Sequence, residues 1–207
     1  MSGNAVKRRA ARVPLAIAAF VLSLFPVVYL HVVSVGRISP VSDVVSDYIF
    51  VDNGTGLLAF TALTLAAGSV ALLAHLVANG LPKRGPATVL LGLWSAGLAV
   101  AAVFPTDPTG VPTSFSGAVH RYAGAVMFTS LPLAGWLISR RFVRDTAVRR
   151  ISLAAGVTAL LFMLSHTSVL FPGHGAVLLG LFERILFALL YGLLFALAVA
   201  MRREVAS

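Results

Sequence analysis

Residues 104–150 read FPTDPTGVPTSFSGAVHRYAGAVMFTSLPLAGWLISRRFVRDTAVRR. The stretch has three parts. Phe104 to Ala118 is a loop of Pro, Thr, Ser and Gly with one acid, Asp107. Val119–Ile138 is an apolar run of the length, about 20 residues, that a helix needs to cross about 30 Å of hydrocarbon. Arg140, Arg141, Arg144, Arg149 and Arg150 follow in a short second loop. A segment acidic at one end, apolar through its middle and arginine-rich at the other is the signature of an oriented membrane helix, because Lys and Arg gather on the cytoplasmic side.

Working outward, the same pattern recurs. Further apolar runs cover Val13–Val35, Gly56–Ala78, Thr88–Phe104, Ile151–Phe171 and Ala176–Met201. Threaded alternately through a bilayer, they put thirteen of the 16 basic residues on one side. These are Lys7, Arg8, Arg9, Arg12, Lys83, Arg84, the five arginines above, Arg202 and Arg203. Asp43, Asp47, Asp52 and Asp107 fall on the other side. Backbone groups in lipid must be satisfied within the segment, so the spans should be helices, and the alternation of a barrel is absent. We expect an all-α integral membrane protein, a six-transmembrane-helix bundle of one domain over residues 1–207, with both termini cytoplasmic in the plasma membrane. The first run is longer than a signal-peptide core and is expected to be retained.

Composition agrees. The chain is 58% hydrophobic and 11% charged, with mean hydropathy +0.94. Soluble domains carry about 25% charged residues, and a chain this short has too much surface to manage with so few. The net charge of +9 does not argue for nucleic acid, because the basic residues flank apolar runs. With no cysteine, disulfides, thiolate metal sites and cysteine nucleophiles are excluded. Small residues at four-residue spacing (Gly92 and Ala96; Gly192, Ala196 and Ala200), with Gly117 four residues before Arg121 and Gly124 three after it, suit close helix packing within the bundle, and are compatible with a homo-oligomer.

Candidate functional residues lie on the acidic side. The first loop holds Ser46, Asp47 and Tyr48, and the second holds Asp107 and leads into His120 and Arg121. His166 sits near the end of the fifth span. Glu183 and Arg184 sit about two turns into the sixth, counted from Ala176. Charges inside a membrane are costly, face the bundle interior and find partners. Neighbours on a helix point about 100° apart, so Glu183 and Arg184 cannot serve only each other. Asp47, Asp107 or His120 could complete them, and we expect Asp107, His120 and Arg184 to share one pocket. Two readings stand for the pair: a structural ion network, or a substrate or proton site. His166 reads either as an interhelical hydrogen bond or as a site residue, and His120 with Arg121 either as an interface cap or as part of the site. His31 and His75 are read as interfacial.

His120, His166 and His174 share the acidic side and invite a zinc reading, with Asp47 or Asp107 as a fourth ligand. Their spacing matches no short metal motif, and His120–Asp107 and His166–Glu183 hydrogen bonds are the cheaper arrangement. We therefore expect no metal and no cofactor; a single haem between two of these histidines is the cofactor-bearing alternative.

Ser46-Asp47-Tyr48, Phe104-Pro105-Thr106-Asp107, Thr113-x-x-x-Gly117-x-x-His120 and Glu183-Arg184 together resemble the bacterial six-span family described as domain of unknown function 998. The resemblance runs from about Val13 to Met201, and Asp107, His120 and Arg184 look like its polar signature. That family is distantly similar to eukaryotic membrane proteins of the FRAG1/DRAM/Sfk1 type, which are linked to lipid organisation. The resemblance implies the fold and no reaction. The function it leaves as first expectation is an outward polar pocket for a lipid or lipophilic small molecule, with Ser46, Asp47, Tyr48, Arg121, His166 and Arg184 as binding residues. The enzymatic alternative uses Asp107, His120 and Glu183 as acids, bases or proton carriers, for hydrolysis or for isomerisation or cyclisation of a lipophilic substrate. A small transporter is the third reading, though no paired broken helices or inverted repeat appear.

Overall fold

The computed structural model describes residues 3–108, 110–170 and 178–206. It contains six long helices: α1 Gly3–Val33, α2 Gly54–Ala78, α3 Pro86–Val103, α4 Phe115–Arg141, α5 Thr146–Leu170 and α6 Leu179–Ala206. A short 3-10 helix, Val45–Phe50, lies between α1 and α2. No strand occurs among the described residues. Each long helix contains a segment of 18 to 27 residues apolar enough to cross a membrane. The shortest, α3, is about 27 Å long at 1.5 Å per residue.

Helix boundaries follow local capping chemistry rather than hydropathy. The fourth helix begins at Phe115, before the apolar run, because the Ser114 hydroxyl accepts the Gly117 N–H at 3.1 Å; Ser is among the favoured N-cap residues for this reason. The fifth begins at Thr146, where the Asp145 carboxylate accepts the Val148 N–H at 3.0 Å. The third opens on Pro86, whose missing N–H costs nothing in a first turn. The sixth begins at Leu179, not near Ala176, so Glu183 lies about 6 Å into the helix by its rise, one turn rather than two.

Successive helices run antiparallel and pack as neighbours. Arg12, early in α1, donates to the Ala74 carbonyl late in α2 at 2.9 Å. Trp94 of α3, fully buried, donates to Ser69 of α2 at 2.9 Å. Ser23 of α1 and Tyr191 of α6 share a buried hydrogen bond of 2.9 Å, which closes the bundle. In the most apolar 18-residue stretches of α4 and α6, 56% and 50% of the residues are buried, against 33% in each of the other four helices. Those two helices therefore form the interior, and α1, α2, α3 and α5 turn more of their surface outward. Leu15, Phe25, Val28, Val157 and Leu160 are more than half exposed on those outer faces, the distribution a lipid solvent allows.

Most close approaches between helices are made by glycines that spacing does not single out, although a Cβ at Gly117 would overlap the Asp107 carboxylate. A Cβ at Gly68 would sit 2.8 Å from the Phe20 ring, one at Gly97 2.9 Å from Met127, and one at Gly135 2.9 Å from Leu193. At Gly92 and Gly192 a Cβ would meet nothing within 4 Å. Spacing alone identifies a stripe of small residues; it does not say which neighbour, if any, the stripe faces.

The bundle has two chemically different ends. One carries Lys83, Arg84 and the α4–α5 arginines and is called here the arginine end. The other carries the α1–α2 and α3–α4 loops with Asp43, Asp47, Asp52 and Asp107, and is called the aspartate end.

Candidate functional site

At the aspartate end the α1–α2 loop folds down onto the first turn of α6. The Leu181 N–H donates to the Val41 carbonyl at 3.0 Å. Gly180 makes room: any Cβ there would collide with the Asp43 carbonyl oxygen. The adjacent Glu183 and Arg184 side chains then reach the same loop by different routes. Glu183, 5% exposed, accepts the Val45 backbone N–H. Arg184 donates through Nη1 to the Asp43 carbonyl at 2.6 Å and to its own Gly180 carbonyl at 3.1 Å. Its Nη2 donates to the Tyr48 hydroxyl at 3.0 Å. The guanidinium also lies 5.6 Å from the Tyr48 ring centre, within cation–π range.

Tyr48 is the hinge of this arrangement. It is 2% exposed, on the 3-10 helix, and packs against Leu30 and Val45, with Phe187 of α6 partly buried beside them. Its hydroxyl also meets Nδ1 of His31 at 2.7 Å, with the two rings edge to face. The chain α1–His31–Tyr48–Arg184–α6 therefore ties three segments together. Gly54 lets the turn close, since a Cβ there would overlap the Tyr48 carbonyl.

The first-loop acids have local duties. Asp47 accepts the Val44 N–H at 3.2 Å. Burial pushes its pKa above the ordinary value; the Val44 hydrogen bond opposes this, the Asp43 charge adds to it and Arg184 lowers it. Asp43 accepts the Ser39 N–H at 2.7 Å and the Ser42 hydroxyl at 3.0 Å. Ser46 lies half-buried in the 3-10 helix and makes no side-chain hydrogen bond among the described residues.

A second polar group surrounds the start of α4. Asp107 accepts both the Ser114 N–H at 2.9 Å and the Ser114 hydroxyl at 2.6 Å. These two bonds hold its carboxyl below the usual carboxylate range, the side-chain bond most. His120 places Nδ1 2.8 Å from the Phe104 carbonyl. Arg121 donates to Thr113 at 3.0 Å, and Ser116 donates to the Pro105 carbonyl at 2.8 Å. Together they lace the α3–α4 loop to α4.

These contacts revise the expected pairings. Glu183 and Arg184 find main-chain partners and Tyr48 instead of Asp107 or His120. His120 takes the Phe104 carbonyl rather than Asp107. His166 places Nδ1 3.4 Å from its own Phe162 carbonyl rather than on Glu183. Among the described residues, no hydrogen bond joins Asp107 or His120 to Arg184. A run of edge-to-face rings does connect the region below them: Phe187 to Phe128 at 5.2 Å, Phe128 to Phe162 at 5.4 Å, and Phe162 to His166 at 4.6 Å. His174 lies outside the described residues.

Sequence reasoning missed three participants. His31, expected at the membrane boundary, lies exposed in the last turn of α1 and also bonds Tyr48; an aromatic partner 17 residues away in an irregular loop leaves no periodic signal. The Asp43 carbonyl and the Val45 N–H are backbone groups, which side-chain identity does not reveal. One atom of the cluster is unspent: Arg184 Nε is buried and has no hydrogen-bond partner among the described residues.

The fold defines a multi-pass membrane protein whose charged interior residues gather at one end. The family model described as protein of unknown function (DUF998) matches residues 17–200, and the chain belongs to that family. No curated protein and no solved structure matches the chain.

Proposed function

We propose that this protein sits in the plasma membrane with both termini cytoplasmic, and binds the anionic head group of a lipid or lipophilic small molecule at its aspartate end. The arginine bias supports the orientation, because Lys and Arg collect on the cytoplasmic side. The observation that carries the binding reading is Arg184 Nε. A buried guanidinium N–H left without an acceptor costs stability, and a carboxylate or phosphate oxygen is the acceptor that arginine geometry favours. Asp47, Tyr48 and Ser46 frame the approach from the loop, and Arg121 and His166 would line it from α4 and α5.

The test is native mass spectrometry of the protein purified in mild detergent. Arg184→Gln should fold, as judged by circular dichroism, and lose a co-purifying anionic lipid. The same lipid complement in wild type and variant overturns the reading. The catalytic alternative rests on Glu183, a buried carboxyl beside an arginine. In that case the co-purified lipid should be chemically converted on incubation, and Glu183→Gln should bind it without converting it.

A further inference from the structure

We infer that a groove at the arginine end, between α4 and α5, holds the phosphate of an anionic phospholipid. Trp136 and Arg140, one turn apart on α4, line it from one side, and Arg149 and Leu153, one turn apart on α5, from the other. Leu137 and Arg141 extend it along α4. The Arg140 guanidinium lies 4.9 Å over the Trp136 ring, which fixes its position. Stacking on an aromatic face leaves the edge of the guanidinium open to donate.

Three observations point to this occupant. First, the Arg140 and Arg149 side chains that line the groove, and Arg141 beside it, make no hydrogen bond or ion pair among the described residues, so their N–H groups are free to donate. Asp145, the acid in the connecting turn, already accepts the Val148 N–H through Oδ1. Second, the wall continuing from the groove toward the bundle middle is apolar and open: Leu133 is 52% exposed, Leu153 50% and Val157 60%. A free anion has no use for that wall, whereas an acyl chain attached to a phosphate follows it. Third, Trp and Arg are side chains that settle at the membrane–water boundary, and basic hollows between membrane helices suit anionic head groups. Orientation alone requires arginines near this boundary; it does not require them around a shared hollow with a stacked Trp. This inference is independent of the site proposed at the aspartate end.

The two tryptophans supply the readout. Trp94 is fully buried and bonded to Ser69, so it gives a constant background, and Trp136 reports on the groove. The full chain is reconstituted into zwitterionic vesicles containing a small fraction of dibrominated lipid, either anionic or zwitterionic. Trp136 should be quenched more strongly by the anionic quencher, and Trp136→Phe should remove the difference. Arg140→Gln with Arg149→Gln should bring the two quenchers to parity. Arg144→Gln with Arg150→Gln, which removes the same charge from exposed positions that do not line the groove, should leave the preference intact. Equal quenching in the wild type overturns the proposal. So does loss of preference in the Arg144/Arg150 control, which would mean a diffuse attraction. Millimolar inorganic phosphate abolishing the preference would reassign the groove to a free anion and overturn the lipid occupant.

Discussion

At the level of single residues, the polar side chains at the aspartate end are employed first in holding backbone. Glu183 caps a loop amide, Asp47 and Asp43 cap turns, and Asp107 grips Ser114. Glu183→Leu leaves the buried Val45 N–H without its acceptor and should destabilise the protein by about 1–3 kcal/mol. Glu183→Gln keeps an oxygen there and should cost much less. Thermal unfolding in detergent, compared for both variants, checks this; equal losses would mean that the Val45 bond is not what matters. Asp107 and Asp47 should respond to pH in opposite senses. Asp107 has a folded pKa below its unfolded value, so its contribution is present above the unfolded pKa, near 3.8, and is lost as pH falls through the folded value. Asp47 has a folded pKa above 3.8, so its ionisation costs stability as pH rises through that window. Asp47→Asn, whose amide oxygen can still accept the Val44 N–H, should flatten the pH dependence just above pH 3.8, whereas Asp107→Asn should flatten it below. Amide proton exchange in the two loops, followed between acidic and neutral pH, reads both. Pairing of these residues was not legible in the sequence, because residue type identifies a charge that needs a partner without saying whether that partner is a side chain or a peptide group.

Among elements, the decisive contacts are helix starts and glycine crossings. Ser114→Ala removes the α4 cap and should cost about 1 kcal/mol, and it also strips Asp107 of its hydroxyl partner. Gly97→Val should separate α3 from α4, since even the first carbon meets Met127 at 2.9 Å and the Ala123 carbonyl oxygen at 3.0 Å. Gly92→Val, five residues away on the same helix, should be tolerated. Cysteine cross-linking across α3 and α4, with loss in the first variant only, is the expected result. Both glycines look alike in the sequence. What separates them is which way α3 is rotated, and hydropathy in a helix apolar on all sides carries almost no rotational information. Where the pattern did have an end, at Ser114, Asp145 or Pro86, capping chemistry was there to be read, though apolar runs alone placed the α4 boundary too late.

On the scale of the whole molecule, the bundle separates an arginine end from an aspartate end, and the proposed orientation follows from that. Reporter fusions after Gly80, Ala147 and Ser207 should all read cytoplasmic; a periplasmic readout at any of them would reverse or break the arrangement. The six spans and the segregation of charge were determined by the sequence itself, because each rests on a local property: about 20 apolar residues are long enough to cross hydrocarbon, and a charge lies on one flank or the other whatever the neighbours do. That α4 and α6 form the interior, that the α1–α2 loop is pinned to α6 through Tyr48 and His31, and that Trp136 and Arg149 share a groove were decided only by the tertiary structure. Each of these depends on how one helix is turned toward another, and on backbone groups that every residue carries alike.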